Sequence, residues 1–297
     1  MQLARDEFKA AQPPNYGERL YQTFEKRKNE PPPEAKPPKP RVLDHLQLQP
    51  TKTGTLDATK AVHELNEEEQ CEFFSHYPRV KKLVCKGWDA ETITDNVMRC
   101  ISFTMGEQLQ EIDFSYSALA PIQLEILACR FTKLRCATLT GCELLNGSCM
   151  NILARFCKNT LTELYVNKCP QFAIEPLLWM TGSTGFQQPA LSKIHSLDLG
   201  DCPLQAEGLL AVASCCKNLT FLNLENCSLL NDKVITACMK SLNKKLRLVN
   251  LRGVSKLTTK GLRALADNCP ELVSINLSKC ELITNKGIEQ LSIKCPK

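Results

Sequence analysis

Four stretches of this chain share one alternation of apolar and polar positions. Each is nine residues long, apolar at its first, fourth and sixth positions and closed by cysteine. They are Leu161-Thr-Glu-Leu164-Tyr-Val166-Asn-Lys-Cys169, Ile194-His-Ser-Leu197-Asp-Leu199-Gly-Asp-Cys202, Leu219-Thr-Phe-Leu222-Asn-Leu224-Glu-Asn-Cys227 and Leu272-Val-Ser-Ile275-Asn-Leu277-Ser-Lys-Cys280. Looser copies begin at Val80, Leu109, Leu134 and Leu246. Alternation of period two predicts a strand, with Leu197 and Leu199 on one face and Ser196 and Asp198 on the other. Between the phrases the period lengthens. Leu262, Leu265 and Ala266 have helical spacing, which predicts a helix packed on the strand layer. Thr258 or Thr259 is placed to cap that helix, and Thr284 to cap the one beginning Gly287-Ile288.

The phrases begin at 80, 109, 134, 161, 194, 219, 246 and 272, so the unit recurs every 25 to 33 residues. A strand-plus-helix unit at such a period is the mark of leucine-rich repeats. One unit cannot bury its apolar face alone, so the units stack. The expected fold is α/β: a leucine-rich-repeat solenoid of about eight repeats over residues 78–297. A curved parallel β-sheet forms one face and helices the other, with strands near Leu83, Ile112, Ala137, Leu164, Leu197, Leu222, Val249 and Ile275. The longest unit, from Leu161 to Ile194, carries its excess near Thr181–Pro189, a Gly/Pro-rich loop bearing Phe186. The chain stops at Cys295-Pro296-Lys297, where Cys269-Pro270-Glu271 earlier leads into a strand. Either the sequence is a fragment or the last strand edge is open.

The first residues differ. Pro31, Pro32, Pro33, Pro37, Pro38 and Pro40 predict a disordered, extended tail over 1–55. Within it Tyr16, Leu20 and Phe24 stand at helical spacing, as a fraying helix or as a motif that folds on a partner. Residues 56–77 read as a helical cap for the solenoid. Asn66 and Glu69 have capping-box spacing, acids in the first turn suit the helix dipole, and Phe73, Phe74 and Tyr77 supply apolar cover.

Composition changes the picture in three places. The chain has 43% hydrophobic residues and a mean hydropathy of −0.21, with no uninterrupted apolar run long enough for a membrane span. The N-terminus has no apolar leader, and cytoplasm is the expected location, with nucleus or cytoskeleton as further possibilities. Seventeen cysteines would suit a disulfide scaffold, but Cys142, Cys169, Cys202, Cys227 and Cys280 hold one repeat position. That predicts small buried thiols, reduced and metal-free, and no two cysteines have the Cys-x-x-Cys spacing of zinc sites. The net charge of +5 comes without basic runs interleaved with aromatics, which argues against nucleic acid.

Catalysis is not expected. Thr181-Gly-Ser-Thr-Gly lacks the Lys-Ser/Thr of a phosphate loop. His195, Ser196 and Asp198 share one predicted strand, where His195 faces away from the other two. No cofactor of any kind is expected.

The phrase Leu-x-x-Leu-x-Leu-x-x-Cys, with Cys269-Pro270-Glu271-Leu272, Leu257-Thr-Thr-Lys-Gly-Leu262 and Ile283-Thr-Asn-Lys-Gly-Ile288, resembles the cysteine-containing subfamily of leucine-rich repeats. The resemblance covers about residues 78–297. That subfamily is best known from F-box leucine-rich-repeat proteins, substrate receptors of SCF ubiquitin ligases, and occurs in cytoskeletal and flagellar adaptors. The resemblance implies substrate recognition in ubiquitin-dependent degradation, with SCF core subunits as partners. The alternative is a structural adaptor in a large assembly, tethered by the tail. Leu65 to Trp88 has the length of an F-box, but Asn66 stands where proline is usual, and Val80 to Trp88 fall in repeat register. A degenerate F-box and a cap plus first repeat both remain open from sequence.

Binding should use the concave strand face, toward a protein partner. Large apolar residues on a solvated sheet face mark contact surface. Phe221 and Leu248 occupy equal positions of neighbouring phrases, and Tyr165 lies two strands away. These three are the expected anchors, with Glu225 and Arg252 at the polar rim and Phe186 on the long loop. Limited proteolysis of the free chain should trim residues 1–55 and leave the repeats intact; protection of the tail would show that it packs on the solenoid.

Overall fold

The computed structural model describes residues 50–60, 62, 65–173, 191–242 and 244–295. Among these residues nine parallel strands form one sheet in chain order: β1 (Thr55–Asp57), β2 (Lys82–Val84), β3 (Glu111–Asp113), β4 (Cys136–Thr138), β5 (Glu163–Tyr165), β6 (Ser196–Asp198), β7 (Phe221–Asn223), β8 (Leu248–Asn250) and β9 (Ser274–Asn276). Helices lie between them: α1 (Glu67–Ser75), α2 (Asp95–Met105), α3 (Pro121–Ala128), α4 (Ser148–Cys157), α5 (Ala206–Cys215), α6 (Asp232–Ser241), α7 (Thr259–Asn268) and α8 (Asn285–Lys294). The eight expected strands are present. A ninth, β1, precedes them, in register with β2 through Leu56 and Leu83. Thr55, expected in the tail, therefore begins a strand, and residues expected to be only a helical cap begin with sheet. Phe186 and the proline-rich residues lie outside the described residues.

The core is built by the phrase. Its first, fourth and sixth side chains are buried in the fifth to seventh repeats: Leu161, Leu164, Val166, Ile194, Leu197, Leu199, Leu219, Leu222 and Leu224. Burying each such side chain contributes roughly 1.5–3 kcal/mol. The helices add the second layer, α1 on α2, α2 on α3, α3 on α4, and α5 through α8 each on the next. At the N-terminal end Asn66 and Glu69 form the expected capping box, the Glu69 amide donating to Asn66 Oδ1 and the Asn66 amide to Glu69 Oε2, both at 3.0 Å. Phe74 packs against Trp88 at 5.9 Å between ring centroids, and Trp88 against Phe114 at 6.0 Å. Thr258 caps α7 by accepting from the Lys260 amide. Thr284 stands at the start of α8 but makes no cap bond; its hydroxyl instead meets Thr259 Oγ1 at 3.0 Å. Gly261 is fixed by space, since a β-carbon there would come within 2.4 Å of Asp232 Oδ1.

Three-residue strands are short, and two devices at the end of each phrase extend the pairing. The eighth position is left-handed in every repeat from the second on: Gly87, Tyr116, Gly141, Lys168, Asp201, Asn226, Gly253 and Lys279, with φ between 55° and 70°. That turn aims each eighth amide at the next repeat. Gly87 donates to the Ser115 carbonyl, Tyr116 to Thr140, Gly141 to Asn167, Lys168 to Gly200, Asp201 to Glu225, Asn226 to Arg252 and Gly253 to Ser278, at 2.7–2.9 Å. A left-handed non-glycine residue costs about 1–2 kcal/mol, offset here by a backbone bond that would otherwise be lost.

The ninth position points back to the preceding repeat. The thiols of Cys142, Cys169, Cys202, Cys227 and Cys280 donate to the carbonyls of Phe114, Leu139, Val166, Leu199 and Leu251, at 3.0–3.4 Å. Where the residue is not cysteine the role persists. Trp88 Nε1 donates to the Ala58 carbonyl at 3.3 Å and Ser117 Oγ to that of Cys85 at 2.8 Å. Val254 is the exception, having no side-chain donor. The column is one of buried donors, not of cysteine as such. All seventeen cysteines have free thiols. Burial pushes the Cys142, Cys202 and Cys227 thiols from 9.0 up to about 12, which keeps them protonated as donors at neutral pH.

These donors change what serine should do. A buried hydroxyl without a partner would cost about 1–3 kcal/mol, but here the partner carbonyl is waiting, as Ser117 demonstrates. In equilibrium urea unfolding, Cys202→Ala should cost about 1–3 kcal/mol and Cys202→Ser about 1 kcal/mol less. Equal losses would remove the donor role.

Candidate functional site

The open face of the sheet is made by the third and fifth phrase positions, with the seventh beside them. The fifth-position column is mostly Asp or Asn, and its side chains are committed to the fold. Asp113, Asp198, Asn223, Asn250 and Asn276 each accept from the amide two residues on, at 2.9–3.1 Å. This short side-chain turn ends the strand and sets up the left-handed residue that follows. Asn223 also donates to Asp198 at 2.8 Å. Burial raises the Asp198 carboxyl above its ordinary range, and the Gly200 amide and the Asn223 side chain pull it back.

On the first repeats the charges of this face are paired among themselves. Lys82 meets Glu111 at 2.9 Å and Lys86 meets Asp113 at 3.0 Å. Cysteine, threonine and serine occupy much of the middle. The apolar residues stand toward the C-terminal end. Phe221 is half-buried and Leu248, paired with it in register, is 43% exposed. They form one platform across β7 and β8, with side chains on neighbouring strands about 5 Å apart.

The other expected site residues divide. Tyr165 is on β5, two strands away and in the fifth-position column, so it does not extend the platform directly. Its hydroxyl donates to Glu163 Oε2 at 3.0 Å and accepts from Ser196 Oγ at 3.3 Å. Burial raises its phenol above the ordinary value. Glu225 and Arg252 stand at the seventh position, beside the platform, and hold each other at 3.2 Å; Asn250 Nδ2 donates to the second oxygen of Glu225 at 2.9 Å. Their charges are neutralised within the chain. Phe186 is outside the described residues.

A feature off the strands escaped the alternation. One to four residues before the third-position residues of β4, β6 and β8 stand exposed cations: Lys133 and Arg135, Lys193, and Lys244, Lys245 and Arg247, with His195 exposed beside them. Among the described residues none of these has a carboxylate partner within salt-bridge distance. Lys133, Arg135 and Lys245 meet only the neutral carbonyl oxygens of Gln108, Gln110 and Asn218. The signal was available as basic residues recurring just before the strand, but it follows the edge of the sheet, not its face.

Of His195, Ser196 and Asp198, the serine is engaged with Tyr165 and the aspartate with Gly200 and Asn223. Among the described residues no group of three His, Cys, Asp or Glu side chains could hold a metal ion, and no helix is long and apolar enough to cross a membrane. Val80 to Trp88 belong to the second strand and its turn, paired with β1 and β3. Leu65 to Trp88 therefore span α1, the strand β2 and the turn that ends it.

No family model matches the sequence. Over 157 residues, 51% of this chain, it is 27% identical to F-box/LRR-repeat protein 4 of Bos taurus, and the match spans 24% of that protein. The repeats thus resemble those of F-box/LRR proteins. In three dimensions the chain is similar to the leucine-rich repeat-containing protein LegL7 of Legionella pneumophila, with a TM-score of 0.50 and 12% identity, over 88% of this chain and 96% of that one. A leucine-rich-repeat protein of Leptospira interrogans aligns at a TM-score of 0.48 and 18% identity, over 86% and 57% of the two chains. The fold is that of a leucine-rich-repeat protein.

Phe221→Ala should leave unfolding nearly unchanged and weaken partner binding by about 1–4 kcal/mol. Leu222→Ala, one residue on and in the core, should cost about 2–5 kcal/mol of stability. Paired thermal melts and binding measurements check this: early melting with normal binding for Phe221→Ala would place that ring in the core.

Proposed function

We propose that this leucine-rich-repeat chain is a non-catalytic recruiting module that holds a protein partner on its open, concave sheet face. The observation that carries the reading is the platform of Phe221 and Leu248. On a face whose Asp, Asn and Glu side chains are tied to one another, to neighbouring side chains or to the backbone, these two present apolar area that the repeat does not need. Nine strands at about 4.8 Å give a face roughly 38 Å along its spine, enough for an interface of about 800 Å² per partner. Tyr165 serves as a secondary contact once its partners Glu163 and Ser196 yield, and the Glu225–Arg252 pair marks the rim.

The finer reading is substrate recognition for an SCF-type ubiquitin ligase. It is supported by the sequence likeness to an F-box/LRR protein, which covers only part of both chains. In this reading the platform holds the substrate, and contact with the SCF core comes from a surface other than Leu65–Trp88, which the solenoid uses for itself.

Affinity purification of the tagged chain from cells, followed by immunoblotting for the cullin and the F-box-binding adaptor of the SCF core, tests this. Both should be recovered, and Phe221→Ala should retain them while losing the substrate. Recovery of other partners through Phe221, with neither SCF subunit, would leave a recruiting module and remove the ligase assignment.

A further inference from the structure

The exposed cations of the helix-to-strand edge bear on what the platform takes. Phe221 and Leu248 follow Thr220 and Arg247 directly, and those residues are locked in neighbouring registers. The amides of Thr220 and Phe221 share the His195 carbonyl, and those of Arg247 and Leu248 share the Thr220 carbonyl, at 2.8–3.0 Å. His195, Thr220 and Arg247 therefore form a row beside the platform, with Lys193 behind the first and Lys244 and Lys245 behind the last. Val273, whose amide bonds the Arg247 carbonyl, continues the row and is 44% exposed. Acids on the neighbouring repeats include Glu163, which accepts the Tyr165 hydroxyl, and the exposed Glu271 of the last repeat.

The two sides of the platform differ in charge. On the strand-to-helix side Arg252 is neutralised by Glu225, and Asp198 lies nearby. On the helix-to-strand side the cations have no carboxylate within salt-bridge distance among the described residues. Exposed charges of one sign beside an apolar patch select partners of the opposite sign and steer their approach.

We propose that this face takes an acidic polypeptide segment with an apolar anchor. A Leu, Ile or Phe side chain seats on Phe221 and Leu248, and Asp or Glu residues run along the edge over His195, Lys244, Lys245 and Arg247. This rests on the recruiting reading above and names the chemistry of its partner. Single-stranded nucleic acid fits less well. Successive bases need successive aromatic faces, and this platform has one half-buried ring beside an aliphatic side chain. The Glu225 and Asp198 carboxylates on the far side would also repel a phosphate backbone.

A random peptide display library selected on the full chain, with the enriched peptides sequenced, tests the proposal. The selected peptides should carry Asp or Glu next to a Leu, Ile or Phe. Fluorescence anisotropy with one selected peptide, labelled, then measures the charges. Replacing its acids by Asn and Gln should weaken binding by about tenfold or more, as should the double variant Lys244→Glu with Arg247→Glu. Lys286→Glu, on the exposed side of α8, should leave it unchanged, and circular dichroism confirms that each variant is folded. Selected peptides without acids, or equal binding by the charge-reversed chain, would overturn the proposal. So would a labelled thymidine oligonucleotide of about twelve nucleotides that binds more tightly than any peptide and is lost on charge reversal. Peptide loss with Phe221→Ala but not with charge reversal keeps the recruiting face and removes the acidic complement. Loss with neither removes both.

Discussion

Every repeat of this protein ends in backbone groups that its own three-residue strand cannot satisfy. The architecture follows from how the next repeat answers them. The left-handed eighth residue turns its amide toward the following repeat, and the ninth side chain of that repeat donates back to the sixth-position carbonyl. Buried polar groups left unpaired cost several kcal/mol. The stack is therefore held by more than leucine packing, and its stability is a sum of nearest-neighbour ties. The Asp and Asn column on the open face belongs to the same device, because its side chains shape the turn that delivers the eighth amide.

The solenoid was legible in the sequence because the phrase fixes strand, face and register at once. Leu222 and Leu224 can only point inward if Phe221 and Asn223 point outward. The first strand was not legible: in Thr53-Gly54-Thr55-Leu56-Asp57-Ala58 the first and sixth positions are Thr and Ala, and only the register of Leu56 with Leu83 betrays it. The ninth position was read as a place for small buried thiols. That Trp88 and Ser117 do the same work with different atoms depends on where a donor points, which alternation does not encode. In Leu65–Trp88 the same holds, since the indole of Trp88 donates to the Ala58 carbonyl as part of the repeat ladder.

The candidate site was legible in half. Equal phrase positions placed Phe221 beside Leu248. The engagement of Tyr165 with Glu163 and Ser196, and of Glu225 with Arg252, depends on rotamers, and sequence spacing fixes only Cβ positions. The cationic edge was missed because it lies in the loops that feed the strands. On an open solenoid face, selectivity comes from such rims as much as from the apolar centre, which is small here and cannot discriminate by shape alone.

Val254 has no donor to send back to the seventh repeat. The junction between the seventh and eighth repeats, directly beneath Phe221 and Leu248, is tied instead by groups nearer to water. Glu225 holds Arg252 and Asn250, and Asp232 accepts from the Thr258 amide and hydroxyl. Elsewhere the corresponding tie is a buried, uncharged donor that salt does not reach. Ionic strength therefore acts unequally along this solenoid. At the seam between β7 and β8 screening acts on an ion pair that no ninth-position donor backs up, and a molecule bridging the two strands would serve as a splint for it.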